Sequence, residues 1–153
     1  MIQIVKDTRP WFFLQTTHST YGMRVMETGH LEHLYYGERI TVDTQDSAFC
    51  APLVIQRGFA PGNTCTYDRE HPQISMEDVC LEVGTLGRGD IREPFLEVKF
   101  TDGSVTSDFT FDSYEVITLK EREQCLQASG LPRSYSEVET DSAECLQIVL
   151  QDV

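Results

Sequence analysis

Positive charge is what this sequence has least of. Lys and Arg together number 12 against 25 Asp and Glu in 153 residues, a formal balance of −13. Neutralising a phosphate backbone takes clustered Lys and Arg, so no nucleic-acid partner is expected. The same deficit argues against docking on an anionic membrane surface. Long apolar runs are missing too, so no membrane-spanning segment is expected. Met1 to Trp11 carries Lys6, Asp7 and Arg9 where a signal peptide would be apolar. The five cysteines (Cys50, Cys65, Cys80, Cys125 and Cys145) form an odd, scattered set without a CxxC pair. Zinc-ribbon spacing is therefore absent, and reduced thiols in a cytoplasmic setting are the expectation. A phosphate loop, a GxSxG elbow and an HExxH helix are all lacking. Neither a metal nor a cofactor is expected.

What is present is a β-rich pattern. Hydrophobic residues at 40% and charged residues at 24% fit a soluble globular chain, and the length fits a single domain with a core that needs no staples. Trp11 to Leu14 opens with aromatics suited to a pleated surface. After a turn expected at His18 to Thr20, Tyr21, Met23 and Val25 alternate with their neighbours at period 2. Thr28-Gly29 turns the chain into Leu31 to Tyr36, where Leu31, His33 and Tyr35 are expected on one face. Asp102-Gly103 accepts the positive φ of a two-residue hairpin turn. That register would set Phe100 opposite Val105, Val98 opposite Ser107 and Leu96 opposite Phe109, with Glu97 facing Asp108 in mild repulsion. Strands are predicted again at Tyr114 to Leu119 and Glu144 to Leu150. One short helix is predicted around Glu121 to Ala128, before Gly130 and Pro132. The stretch from Val42 to Leu86 shows no sustained period and reads as a long loop, either functional or a floppy excursion. The resulting fold class is all-β, a large antiparallel β-sandwich with at most one short helix.

The chemistry-bearing residues offer no motif. His30 and His33 stand three apart, which on a strand puts them on opposite faces and speaks against a shared metal. Glu27, Glu32, Glu38, Asp90, Asp108 and Asp112 are scattered, and their default role is a solvated, charged face. Nothing in the spacing brings two carboxylates to one glycosidic bond. Asp90 and Arg92, two apart, would share a strand face and pair with each other, a structural role.

Several segments nonetheless fall in a recognisable order. Phe13-Leu14-Gln15-Thr16 and Ser19 to Val25 are followed by Gly29-His30-Leu31-Glu32-His33-Leu34-Tyr35-Tyr36-Gly37-Glu38-Arg39-Ile40. Gly87-Arg88-Gly89-Asp90-Ile91-Arg92-Glu93-Pro94 comes next, then Asp102-Gly103-Ser104, Gly130 to Tyr135, and Glu144 to Ile148. Together they resemble the N-terminal domain of the glycoside hydrolase family 36 α-galactosidases. Ile91, Arg133, Ser134 and Cys145 depart from the family pattern, and the match is poorest across 42–86.

That resemblance implies a β-supersandwich spanning 1–153, placed ahead of a catalytic (β/α)₈ barrel. Both catalytic aspartates of such an enzyme would lie beyond Val153, so this fragment has no catalytic residue of its own and is expected to be inactive alone. The parent would be a retaining, cytoplasmic α-galactosidase acting on melibiose- or raffinose-type sugars, assembled as a homo-oligomer, commonly a tetramer. The resemblance also implies that the long loop reaches a neighbouring subunit's pocket. Gln56 then stands at the position of an acidic sugar contact and Arg69 at that of a basic one. The bland alternative makes both of them surface residues of a mobile loop. Two other readings stay open: a stand-alone carbohydrate-binding β-sandwich module, and a parent of different specificity such as an α-N-acetylgalactosaminidase or a raffinose-synthase relative.

Overall fold

The strand Trp11–Gln15 (β2) organises the molecule, because its successive side chains point to opposite faces and both faces are buried. The computed structural model describes residues 1–54, 65–118, 121, 122, 124 and 144–153. Around β2 run Ile2–Val5 (β1), Ser19–Val25 (β3) and Leu31–Glu38 (β4), in a four-stranded antiparallel sheet of order β1-β2-β3-β4. Phe109–Thr118 (β5) and Glu144–Asp152 (β6) form a second, two-stranded antiparallel sheet.

The two sheets meet through Phe12, Val25 and Leu31 on one side and Phe111, Tyr114, Leu146, Ile148 and Leu150 on the other. The ring of Phe12 lies 5.1 Å from Tyr114, edge-on, and 6.2 Å from Phe111. This is the all-β sandwich expected from composition and pattern. On the opposite face of the first sheet, Phe13, Val5 and Cys50 form a second core with Trp11, Ile40, Val42, Phe49 and Leu53. Its cover is the segment after β4, including a 3₁₀ turn at Ser47–Leu53 that Asp46 caps by accepting from Ala48 N–H. A sheet buried on both faces explains why Trp11 to Leu14 is a continuous apolar run.

Two bulges set which residues face inward. Between β3 and β4 the register shifts so that Met23 opposes His33 while Gly22 opposes Tyr35, leaving Leu34 unmatched. His33 and Tyr36 therefore share a face with Tyr21, and Tyr35 turns to the other side. The expected grouping of Leu31, His33 and Tyr35 thus breaks at this bulge. A second shift between Phe111 and Ser113 leaves Asp112 unmatched. It lets Phe111 and Tyr114, three apart, both reach Phe12.

The turn into β3 comes slightly earlier than expected, with Thr16 N–H bonding Ser19 O. The turn into β4 spans residues 27–29. Met26 N–H bonds His30 O, Gly29 N–H bonds Met26 O, and Gly29 takes φ +89°. Such a three-residue loop ends on a left-handed residue, which suits Gly. Asp102-Gly103 makes the same loop: Phe100 N–H bonds Ser104 O, Gly103 N–H bonds Phe100 O, and Gly103 has φ +89°. The expected two-residue hairpin is therefore replaced by a three-residue loop. Its flanking ladder does not propagate either. Ser107 N–H goes to Leu86 O, Phe95 N–H to Gly84 O, and Phe109 pairs with Asp152, so the expected partners are already engaged.

The far end of the long irregular stretch is tied to the first sheet. Leu81 bridges Glu32 in antiparallel fashion, flanked by His33 N–H to Cys80 O and Glu82 N–H to Leu31 O. Residues 80–82 thus cover the open edge of β4, an edge that would otherwise present unpaired backbone groups. Of the predicted helix, residues 121, 122 and 124 are helical, and the remainder lies outside the described residues. Among the described residues no helix is long and apolar enough to cross a membrane.

Candidate functional site

Arg69 sits exposed at the tip of a tight turn in the long irregular stretch. The turn is made by Asp68, whose Oδ1 accepts from Glu70 N–H at 2.8 Å and His71 N–H at 2.7 Å. An aspartate that bonds the backbone ahead of it fixes the local shape of a turn, and leaves its seating on the rest of the fold to other contacts. The His71 ring adds a further contact, with Nδ1 2.9 Å from the same carboxylate oxygen. That hydrogen bond holds the Asp68 carboxyl below its usual range and raises the His71 imidazole above its own. Tyr67 N–H to Ile74 O and Ile74 N–H to His71 O close the base. The guanidinium of Arg69 has no ion-pair partner among the described residues. A planar, permanently charged donor fork held out in this way suits hydroxyl or carboxylate acceptors.

The foot of the turn is a buried polar cluster. Tyr67 donates its hydroxyl to Asp108 Oδ2 at 2.9 Å, and His30 Nε2 donates to Asp108 Oδ1 at 2.8 Å. The His30 ring meets Tyr67 edge-on, with centroids 4.9 Å apart, and its Nδ1 lies 2.9 Å from Thr28 Oγ1. Arg88 Nε stands 2.9 Å from Asp108 Oδ2 as an ion pair. Asp108 is 1% exposed and His30 4% exposed. Burial pushes the Asp108 carboxyl upward, but the hydrogen bonds from His30 and Tyr67 and the charges of His30 and Arg88 outweigh it, leaving the group below its ordinary value. The Tyr67 hydroxyl is pushed up to about 12, by burial first and then by its bond to Asp108.

Asp108 is therefore no part of a solvated face. Glu32 is not either, being 5% exposed with Oε2 2.6 Å from Arg24 Nε. The nearest sequence signal for the Asp108 cluster was a histidine three residues from another. His33 serves a different partner, Glu82, which also accepts from the Tyr21 hydroxyl at 2.5 Å. Trp11, the single Trp, is half-buried against the outer core with the Arg24 guanidinium 5.2 Å over its ring, and so offers no open platform.

Asp90 and Arg92 do pair, with Arg92 Nε 2.8 Å from Asp90 Oδ1 and Nη2 2.8 Å from Oδ2. They do so in an irregular segment where Asp90 Oδ1 accepts from Arg92 N–H, rather than across one strand face. Arg92 Nη2 also reaches the carbonyls of Met76 and Val79. The pair thus staples the 76–79 stretch to the segment after it. Tyr67 and Asp108 are brought together with His30, Arg69 follows two residues after Tyr67 on the exposed turn, and Asp90 and Arg92 form a separate tie. Gln56 lies outside the described residues.

The family model for the glycosyl hydrolase family 36 N-terminal domain matches residues 29–153. The bifunctional α-galactosidase/sucrose kinase AgaSK of Mediterraneibacter gnavus is 35% identical over 99% of this chain and 15% of its own length. The crystal structure of an α-galactosidase from Lactobacillus brevis superimposes with a TM-score of 0.76 at 28% identity, covering 97% of this chain and 18% of that one. A doubly substituted AgaA α-galactosidase from Geobacillus stearothermophilus, in complex with raffinose, shares the fold with a TM-score of 0.65 at 24% identity, over 93% of this chain and 18% of that one. The chain thus spans less than a fifth of the length of the relatives it matches.

Proposed function

We propose, since the chain belongs to the glycosyl hydrolase family 36 N-terminal domain family, that it is the non-catalytic front domain of a retaining α-galactosidase. The parent enzyme would remove terminal α-galactosyl residues from melibiose- or raffinose-type sugars in the cytoplasm. The observation that carries this reading is the 35% identity to AgaSK across 99% of the chain. Among the described residues, the most buried carboxylates are already engaged: Asp108 by His30, Tyr67 and Arg88, and Glu32 by Arg24. A retaining glycosidase needs two carboxyls free to flank one bond, about 5–5.5 Å apart. Catalysis is accordingly assigned to the remainder of the parent, and this domain to scaffolding and oligomer contacts in a homo-oligomer.

Arg69 is the residue we assign to substrate, reaching a saccharide in a neighbouring subunit's pocket, with Gln56 as its companion position. Asp90 and Arg92 are assigned a structural role. The purified 153-residue chain is expected to leave an aryl α-galactoside intact while the full-length enzyme hydrolyses it. Turnover by the chain alone would refute the assignment. Calorimetric titration of the chain with raffinose is expected to be flat, and saturable heat would instead favour a self-contained sugar-binding module.

A further inference from the structure

Arg69 is exposed and charged, and a long side chain on a loop loses its value as a sugar contact if the loop wanders. What prevents that here lies two residues away. Tyr67 is hydrogen-bonded through its hydroxyl to a carboxylate that solvent does not reach. The same carboxylate takes a second bond from His30, whose ring packs edge-on against Tyr67, so the phenol is held from its tip and from its face. Asp108 is itself fixed at both backbone atoms: its N–H donates to Asp152 Oδ1 at 2.7 Å, and its carbonyl accepts from Val153 N–H at 3.1 Å. It stands immediately ahead of β5, while His30 stands immediately ahead of β4, so each sheet supplies one member.

We propose that Asp108, with His30, is the positioning hub of the 65–74 turn, holding Tyr67 and through it presenting Arg69 in one orientation toward a bound α-galactoside. The proposal rests on the reading of Arg69 given above and adds the residues that aim it. A buried carboxylate is a poor choice for stability alone, since apolar residues of like volume serve as well or better. It is a good choice for direction, because each of its oxygens accepts along a preferred line. From Tyr67 outward the backbone is not free to swivel: Asp68 locks residues 70 and 71, and Tyr67 N–H locks Ile74. The guanidinium is therefore carried on a short, doubly tied turn whose base is anchored between two sheets. Preorganisation of this kind lowers the ordering cost of binding and leaves the chemical step alone.

The test is Tyr67→Phe, which removes one hydroxyl and keeps the ring, made in the full-length enzyme beside Arg69→Ala. Amide hydrogen exchange across 65–74 and steady-state kinetics on raffinose are the two readouts. The expected result is faster exchange at residues 67, 70, 71 and 74, with KM raised about fivefold and kcat unchanged. Unchanged exchange in Tyr67→Phe overturns the hub, whatever the kinetics. Faster exchange with KM raised by Arg69→Ala but not by Tyr67→Phe overturns the positioning role and leaves the reading of Arg69 standing. A KM untouched by Arg69→Ala removes Arg69 from the sugar and the proposal with it.

Discussion

Asp108 carries its ionised group where water does not reach, and three partners make that tolerable. Its carboxyl titrates below the usual 3.8 in the folded chain, with hydrogen bonds and nearby positive charge outweighing burial. A depressed folded value means the contribution to stability is complete above the unfolded pKa and fades as pH falls through the folded one. Melting temperature should therefore drop steeply only below about pH 4, and Asp108→Asn should flatten that acid limb. An unaltered limb would assign acid unfolding to other groups, Asp90 first among them, since Arg92 also holds it low. The Asp68–His71 pair has the opposite sign on its imidazole side. The raised His71 pKa adds stability that is complete below pH 6.5 and lost as pH rises through the folded value. Proton NMR should show His71 titrating above 6.5, and Asp68→Asn should return it toward that value. Cys50 is fully buried, and burial pushes its thiol up to about 11, whereas Cys65 and Cys80 are exposed. An aromatic disulfide reagent is expected to modify Cys65 and Cys80 in the native chain and to spare Cys50 until denaturant is added.

At the scale of elements, glycine placement decides how the pieces dock. Gly29 needs φ +89°, and a Cβ there would stand 3.0 Å from Thr110 Cβ, against the strand whose Phe111 N–H bonds Gly29 O. Gly29→Ala should thus cost about 1–3 kcal/mol through backbone strain and a forced retreat of β5. Chemical denaturation would measure it, and a neutral result would mean that β5 docks independently of this turn. The β2–β4 meander could be read from residue order alone, because Tyr21, Met23 and Val25 alternate and Thr28-Gly29 names the turn, whereas the short β1 at Ile2–Val5 was not read. The alternation of Leu146, Ile148 and Leu150 likewise marked β6. The bulges were not legible: leaving out Leu34 serves the packing of Tyr21 on His33, a tertiary preference without a local signature. Asp102-Gly103 signalled a turn correctly, but not the competition from Leu86 and Asp152 for the strands beside it. The Asp108 cluster was less legible still, since 78 residues separate it from His30 and 41 from Tyr67. Only the fold makes those residues neighbours.

Among the described residues the first sheet is covered twice, once by the segment that follows β4 and once by the antiparallel pair of β5 and β6. Phe12 belongs to the second contact, and Phe12→Ala should cost about 3–5 kcal/mol by the usual penalty for emptying an aromatic site in a packed core. That loss should separate the sheets first, so tryptophan emission from Trp11, which lies under the other cover, should respond less than near-ultraviolet dichroism from Tyr114. Equal responses would mean that the two covers fail as one unit.

The second cover has a consequence for synthesis. A ribosome delivers the meander early, yet β6 emerges only after residue 144, so until that point Phe12, Val25 and Leu31 lack half of their lid. The nascent polypeptide must spend that interval with greasy surface on display, a state that invites chaperones or premature sticking. Stalled chains ending near residue 118 should accordingly bind a hydrophobic dye that the 153-residue chain refuses.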